Sequence, residues 1–314
     1  AADLANSIFV HGRKLSPEVE AEAAGHKSVG VRKALLQSEI LSKPVLMKLA
    51  EDDDSKVRTA VAVRFDLPED ILNHLQDKET NIDVLASLLL YRPDISEDFI
   101  NRMANLKSLQ VRSALARNIK TSPEILEKLS NIKSATIDNE LLLNANTPGH
   151  VLRKIAFKNK KNLSLAVRNK TLSADLLREI VKYCDSIEIK RSEKSTIYSY
   201  AVRNSNAPED VLRLAADVFS RSVSVLMGIA SNPNTPEDLL RKVADSKAQD
   251  LYNSIPAELL SNPKTPDDVI RKLARHTVER VRRKAINKLR ERGIAESRHL
   301  AHRILREIKR AERN

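Results

Sequence analysis

The chain has no tryptophan, one cysteine and six glycines, and its aromatic content is five tyrosines and five phenylalanines in 314 residues. A single cysteine, Cys184, rules out an internal disulfide and any cysteine-rich metal site, and is compatible with the cytoplasm. Scarce glycine, with twelve prolines that fall in register with a repeated phrase, argues for a helical chain over a β-rich one. No apolar run approaches the length of a membrane span, so a soluble protein is expected. Ala1 stands where an initiator methionine would, without a signal-peptide pattern, which suggests a trimmed chain or a segment of a longer one. Glycine-rich phosphate loops and Ser/His/Asp arrangements in a nucleophile context are both lacking. The expectation is a protein that is not an enzyme and carries no cofactor or metal.

What is present is one phrase, written repeatedly. Residues 231–246 read SNPNTPEDLLRKVADS and residues 261–276 read SNPKTPDDVIRKLARH. The phrase reads as a helix start. Thr235 stands at the N-cap, Pro236 at the first helical position, and Glu237 and Asp238 against the positive end of the helix dipole. Leu239, Leu240, Val243 and Ala244 then fall on one apolar face. Asp267 and Asp268 would suggest acid–base chemistry in isolation. Their recurrence at the same helical position makes them capping residues.

Copies of the unit begin near Val31, Val57, Leu85, Val111, Ile137, Asn162, Ile197, Val225, Ile255 and Val281, with a degenerate first copy around Asn6. Most starts lie 25 to 30 residues apart, and the step of 35 from Asn162 to Ile197 predicts a longer exposed loop near 184–196. Each unit predicts a short first helix, a turn at a recurrent asparagine and a second helix of about three turns. The asparagines are Asn118, Asn144, Asn169, Asn204, Asn232 and Asn262. An asparagine side chain bonds nearby backbone where a helix ends, which explains its recurrence without a ligand. One unit cannot bury its apolar face alone, whereas stacked units can. The expected fold is all-α: an α-solenoid of about eleven two-helix repeats of roughly 26 residues, without β-strands. A degenerate cap over 1–30, repeats over 31–280 and basic capping helices over 281–314 would form one array.

The pattern VR-x-x-V-A-x-N-x-x-x-P-E-x-L-x-x-L-A, most complete at 57–75, 111–129, 197–214 and 225–244, resembles the leucine-rich repeat variant (LRV) family. HEAT and armadillo repeats are similar, with longer units. The resemblance covers nearly the whole chain and implies a right-handed superhelix of alternating α- and 3₁₀-like helices. The N-terminal iron–sulfur cluster known in that family needs a cysteine-rich segment, and this chain has no cysteine before Cys184.

The charge is uneven. Residues 271–314 hold 16 Lys/Arg against 5 Glu, a net of +11 out of the chain's +12. Arg303, Arg306, Arg310 and Arg313 share one face of the last predicted helix, opposite an apolar stripe of Ala301, Ile304, Ile308 and Ala311. Together with Arg282, Arg283, Lys284 and Lys288 they are the candidate contacts for an anionic partner. Most arginines of the VR and RN phrases (Arg32, Arg58, Arg112, Arg168, Arg203) read instead as turn-stabilising. His299 and His302 share a helix face, but the arginines among them would repel a cation. The run Glu51 to Asp54 reads as a solvated turn, and Cys184 as a buried or incidental thiol.

A non-catalytic repeat scaffold is expected, holding a protein partner, with the basic C-terminal end engaging an acidic one. The alternative is a solenoid that binds duplex nucleic acid through its phosphates. Few aromatics argue against single strands. A HEAT-like DNA glycosylase comes third, since no aromatic cluster surrounds an isolated carboxylate. Exposed apolar side chains on a charge-neutral face would favour the protein scaffold, and a continuous basic strip would favour nucleic acid.

Overall fold

The computed structural model describes residues 15–246 and 254–294. Among these residues the chain forms 20 α-helices and no strand. It divides into two compact units, Ala1–Val151 and Leu152–Asn314. In chain order the helices begin α1 (Pro17–Ala24), α2 (Val29–Leu35), α3 (Lys43–Ala50), α4 (Ser55–Ala62) and α5 (Glu69–Lys78). Next come α6 (Ile82–Tyr91), α7 (Glu97–Ala104), α8 (Leu109–Arg117), α9 (Pro123–Leu129) and α10 (Ala135–Leu143). After α11 (Gly149–Ala156), the second unit holds α12 (Lys160–Ala166), α13 (Ala174–Ser186), α14 (Arg191–Arg203) and α15 (Glu209–Val218). The last five are α16 (Val223–Ser231), α17 (Glu237–Ala244), α18 (Ser254–Ser261), α19 (Asp267–Leu273) and α20 (Glu279–Glu291).

Even-numbered helices are the first segments of the repeats and odd-numbered ones the second. Within the first unit α4, α6, α8 and α10 pack one on the next, and within the second α14, α16, α18 and α20 do the same. Second helices also stack, α1 on α3 on α5 and α13 on α15 on α17. Most of these helices have seven to ten residues. Alone in water such lengths are marginal, so the helices persist because their apolar faces are buried between neighbours. In one repeat Val111, Leu115, Ile125, Leu126 and Leu129 are all buried, each contributing about 1.5–3 kcal/mol. Both helices of each repeat are α-helical. The 3₁₀-like helices implied by the LRV resemblance are not seen among the described residues, because even the seven-residue segments are long enough for an i→i−4 ladder.

Two local expectations are corrected. Thr235 is not an N-cap. Helix α17 starts at Glu237 with Pro236 at the cap, while Thr235 is fully buried and its hydroxyl donates to the carbonyl of Ile229 at 2.6 Å. Thr121 and Thr147 donate likewise to Leu115 (2.6 Å) and Leu141 (2.7 Å), and Thr265 to Leu259. The last carbonyls of a helix lack an intrahelical donor, and a buried hydroxyl must find an acceptor, so each completes the other. Where the phrase reads Thr-Ser-Pro at 121–123, Ser122 takes the cap and Pro123 the first helical position, as the capping rules require.

The 35-residue step does not make a long loop. Its extra residues lengthen α13 and α14 to 13 residues each, leaving only residues 187–190 between them. The extensions are joined by contacts that sequence spacing does not display. Lys194 pairs with Asp185 at 2.6 Å, and the buried Tyr198 donates its hydroxyl to the same carboxylate at 2.7 Å.

Candidate interaction surface

The recurrent asparagine lies seven residues after the first buried residue of its repeat (Val111 to Asn118, Val225 to Asn232). Its side chain is fully used. The Oδ1 of Asn118, Asn144, Asn204, Asn232 and Asn262 accepts the N–H two residues on, at 2.7–3.0 Å. The Nδ2 group reaches back one repeat. Asn144 donates to the carbonyls of Ala116 and Asn118, Asn204 to Val167 and Asn169, Asn232 to Val202 and Asn204, and Asn262 to Ala230 and Asn232. Early repeats place arginine here instead. Arg64 donates to the carbonyls of Leu36 and Ser38, and Arg92 to that of Arg64. In Asn144, Asn204, Asn232 and Asn262 both amide N–H groups are taken up within the chain, which leaves no donor there for a ligand.

The VR arginines also work within the chain. Arg32 donates to His26 and Lys27 carbonyls and pairs with Asp52 at 2.6 Å. Arg58 donates to Asp52 and Asp53 carbonyls and pairs with Glu79 at 2.7 Å. The acidic run is therefore more than a solvated turn: the Asp52 carboxylate is buried under Arg32, and Asp54 caps α4 through the N–H of Lys56.

The sequence-predicted cations on α20 separate. Arg282 occupies the VR position and donates to the carbonyls of His276 and Thr277. Lys288 occupies the asparagine position, and its ammonium donates to the carbonyls of Leu260 and Asn262. Burial, with Arg292 and Lys284 nearby, pulls its pKa below the ordinary lysine value. Both are clamps, corrected from candidate partner contacts, because their register is that of the structural residues in earlier repeats. Lys284 donates to the Ser261 hydroxyl at 2.8 Å, and Arg283 is exposed without a bond to a described residue. Arg303, Arg306, Arg310 and Arg313 lie outside the described residues, as do His299 and His302.

The surface that sequence reasoning missed lies beside the ladder. In the first unit the residues just before and after the ladder position are apolar and exposed: Val63 and Phe65 around Arg64, Tyr91 before Arg92, Ile119 after Asn118, and Leu143 before Asn144. Phe65 is 93% exposed, Ile119 73% and Tyr91 64%. The stacking of α4, α6, α8 and α10 sets them side by side as a ridge along the ends of the first helices. Charges on the ridge are largely neutralised in place, Arg64 by Asp66 at 2.6 Å and Arg92 by Asp94. Arg117 and Lys120 are its uncompensated cations among the described residues. The second unit carries Arg168, Lys170, Arg203, Ser205, Ser231 and Ser261 at the same positions. The sequence shows an apolar residue beside a turn that polar residues flank elsewhere, but not whether it faces the core or solvent.

The second helices of the second unit are closed off electrostatically. Arg178, Arg213 and Arg241 each bridge to an aspartate on the next second helix, Asp210 at 2.8 Å, Asp238 at 2.7 Å and Asp268 at 3.0 Å. The arginine beside each of these aspartates holds its carboxyl below the ordinary value. Asp268, one of the paired carboxylates of the repeated phrase, is therefore an ion-pair partner. Cys184 is fully buried, and burial pushes its thiol up to about 11. Among the described residues no helix is long and apolar enough to cross a membrane, and no three His, Cys, Asp or Glu side chains are grouped to hold a metal. Compared with protein-family models, curated proteins and solved structures, the chain finds no match in any of the three.

Proposed function

We propose that this chain is a non-catalytic scaffold, a right-handed α-solenoid of the LRV type, which binds a protein partner along the apolar ridge of its first unit. The observation that carries the reading is the run of exposed Val63, Phe65, Tyr91, Ile119 and Leu143 on consecutive repeats. Contiguous apolar patches mark interaction sites, and exposed aromatics are the residues around which binding energy concentrates. The partner presents an apolar strip together with carboxylates that meet Arg117 and Lys120. The basic segment 271–314, at +11, supplies a second, electrostatic contact for the same acidic partner. Such contacts speed encounter more than they tighten the complex.

A photo-crosslinking amino acid placed at Phe65 or Ile119, with Asp98 as the control position on a second helix, tests the reading in cells. One protein should crosslink from the ridge positions and not from Asp98. Once purified, that protein should bind the Phe65→Ser/Ile119→Ser double variant at least tenfold more weakly, with the melting temperature unchanged. Equal crosslinking from both faces, or unaltered affinity, would refute a ridge-bound partner. A labelled duplex titrated over a salt series checks the nucleic-acid alternative. Tight, steeply salt-dependent binding that collapses when Arg303, Arg306, Arg310 and Arg313 become Gln would replace the protein-scaffold reading with that one.

A further inference from the structure

Between the N-terminal ends of α14 and α16 lies an open cleft of about 590 Å³, lined by Arg191 and Arg221 together with Ser192, Ser195, Ser220 and Ser222. Two arginines and four serines line one space, and no carboxylate of a described residue lines it. We propose that this cleft binds a phosphate monoester, the two arginines holding its charge and the serine hydroxyls its remaining oxygens.

The arrangement is set by local structure. The Arg191 guanidinium lies over the buried Phe219 ring, 5.4 Å from its centroid, and donates to the Val218 carbonyl at 3.3 Å. One donor therefore fixes the group in place, and the remaining donors of its fork make no bond to a described residue and can meet an anion. Arg221 is exposed and makes no hydrogen bond or ion pair with a described residue. Ser222 precedes α16 but does not cap it. Its hydroxyl lies 3.1 Å from that of Ser195 and 3.2 Å from that of Ser224; the two links use two of the three protons, and a ligand oxygen can take the third or replace a link.

The charge is compact, which selects the class of anion. On one side the neighbouring cleft sets Glu193 beside Lys160 and Lys161, so its charge is partly offset, whereas the two arginines here face no carboxylate of a described residue. On the other side Asp217 is already paired with Lys242. Phe219, the one aromatic ring among the described residues lining the cleft, is buried beneath Arg191 and offers no platform for a base. A polymeric phosphodiester needs a track and stacking surfaces. A single dianionic phosphoryl group needs only the two arginines and the hydroxyls. The cleft belongs to the second unit and shares no residue with the apolar ridge, so variants of one leave the other to be read separately.

Isothermal titration calorimetry on the full chain tests the site with four probes: inorganic phosphate, a phosphoserine peptide, the same peptide unphosphorylated, and a short DNA duplex. The phosphorylated probes should bind with one-to-one stoichiometry and compete with each other, and the plain peptide should not bind. Affinity should rise between pH 5.5 and 7.5 as the monoester gains its second charge near pH 6. Arg221→Gln should weaken binding at least tenfold with an unchanged melting temperature, and Arg221→Glu should abolish it. Tighter binding of the phosphopeptide than of phosphate would identify a modified side chain as the source, and the reverse a free phosphate compound. Absence of monoester binding at millimolar concentration, affinities indifferent to both Arg221 variants, or displacement by duplex more readily than by phosphopeptide would each overturn the proposal.

Discussion

The side-chain amide of Asn232 donates to the backbone carbonyl of Asn204 at 2.9 Å, and Asn262 makes the same bond to the carbonyl of Asn232 at 2.9 Å. Each ladder residue thus holds the main chain of its own predecessor. The same amide also takes a carbonyl from the last turn of the preceding first helix, Val202 for Asn232 and Ala230 for Asn262. The spacing of repeats is therefore set by hydrogen bonds as well as by apolar packing, and the asparagine adds what Arg64 and Lys288 at this position lack, an oxygen that accepts the N–H two residues on.

Asn232→Ala should destabilise the chain severely. The change strips the Val202 and Asn204 carbonyls of their side-chain donor and the Asn234 N–H of its acceptor, inside a side-chain environment that is nearly fully buried. Each buried group left unpaired costs roughly 1–3 kcal/mol. Urea denaturation compared with Asn234→Ala, an exposed neighbour, measures the difference. The neighbour should cost less than half as much.

Gly228 lies where α16 packs closely against α14. A Cβ there would lie 2.5 Å from Val202 Cγ2, 3.1 Å from Arg203 Cγ and 3.3 Å from the Ser199 carbonyl. Gly228→Ala, normally favourable in a helix, should instead cost about 1–3 kcal/mol by forcing the two helices apart. Thermal melts should show a lower Tm. Gly149→Ala, with open space around its Cβ position, should leave Tm unchanged or raise it.

Stability should fall in acid through Glu79 and Asp52. Burial alone would raise both carboxyls. For Glu79, Arg58 and the N–H groups of Asn81 and Thr80 outweigh it, and for Asp52, Arg32 and the Asp54 N–H do, so both end below their ordinary values. A carboxyl depressed in the folded state contributes stability above its unfolded pKa and loses it as pH falls through the folded one. The loss should begin below about pH 5, where unfolded carboxyls start to take up protons. Glu79→Gln should lower stability at pH 7 by roughly 1–3 kcal/mol and flatten the curve between pH 5 and pH 3. An equally steep acid limb in the variant would show that this pair does not carry it.

Cys184 should be inert while the chain is folded. With the thiol buried and pushed up to about 11, almost none is thiolate at pH 8. Labelling by a disulfide reagent should proceed only at the rate of unfolding and become immediate in denaturant. Fast labelling of the native chain would mean that α13 opens locally.

The repeat, its helical character and the structural use of its asparagines and VR arginines were legible in the sequence, since a seven-residue interval from Val225 to Asn232 recurs wherever the unit does. Lys288 could have been excluded from the candidate site by counting the same interval from Val281, and Arg282 by its place directly after that valine, the VR position. The role of Thr235 could not, because the direction of its hydroxyl depends on which carbonyl of α16 is left open beneath it.

Sequence by itself determined that this protein is helical, repeated and basic at one end, because capping, periodicity and charge are local properties. Tertiary structure alone decided which apolar residues remain outside. Val63, Phe65 and Ile119 look like the residues of a core, yet they flank a turn, and stacking aligns them on the surface while their neighbours Val61 and Leu115 are buried. It also decided that Arg191 and Arg221, 30 positions apart in the chain, line one cleft. Proximity between repeats follows from how helices pack across them, and no local pattern records that.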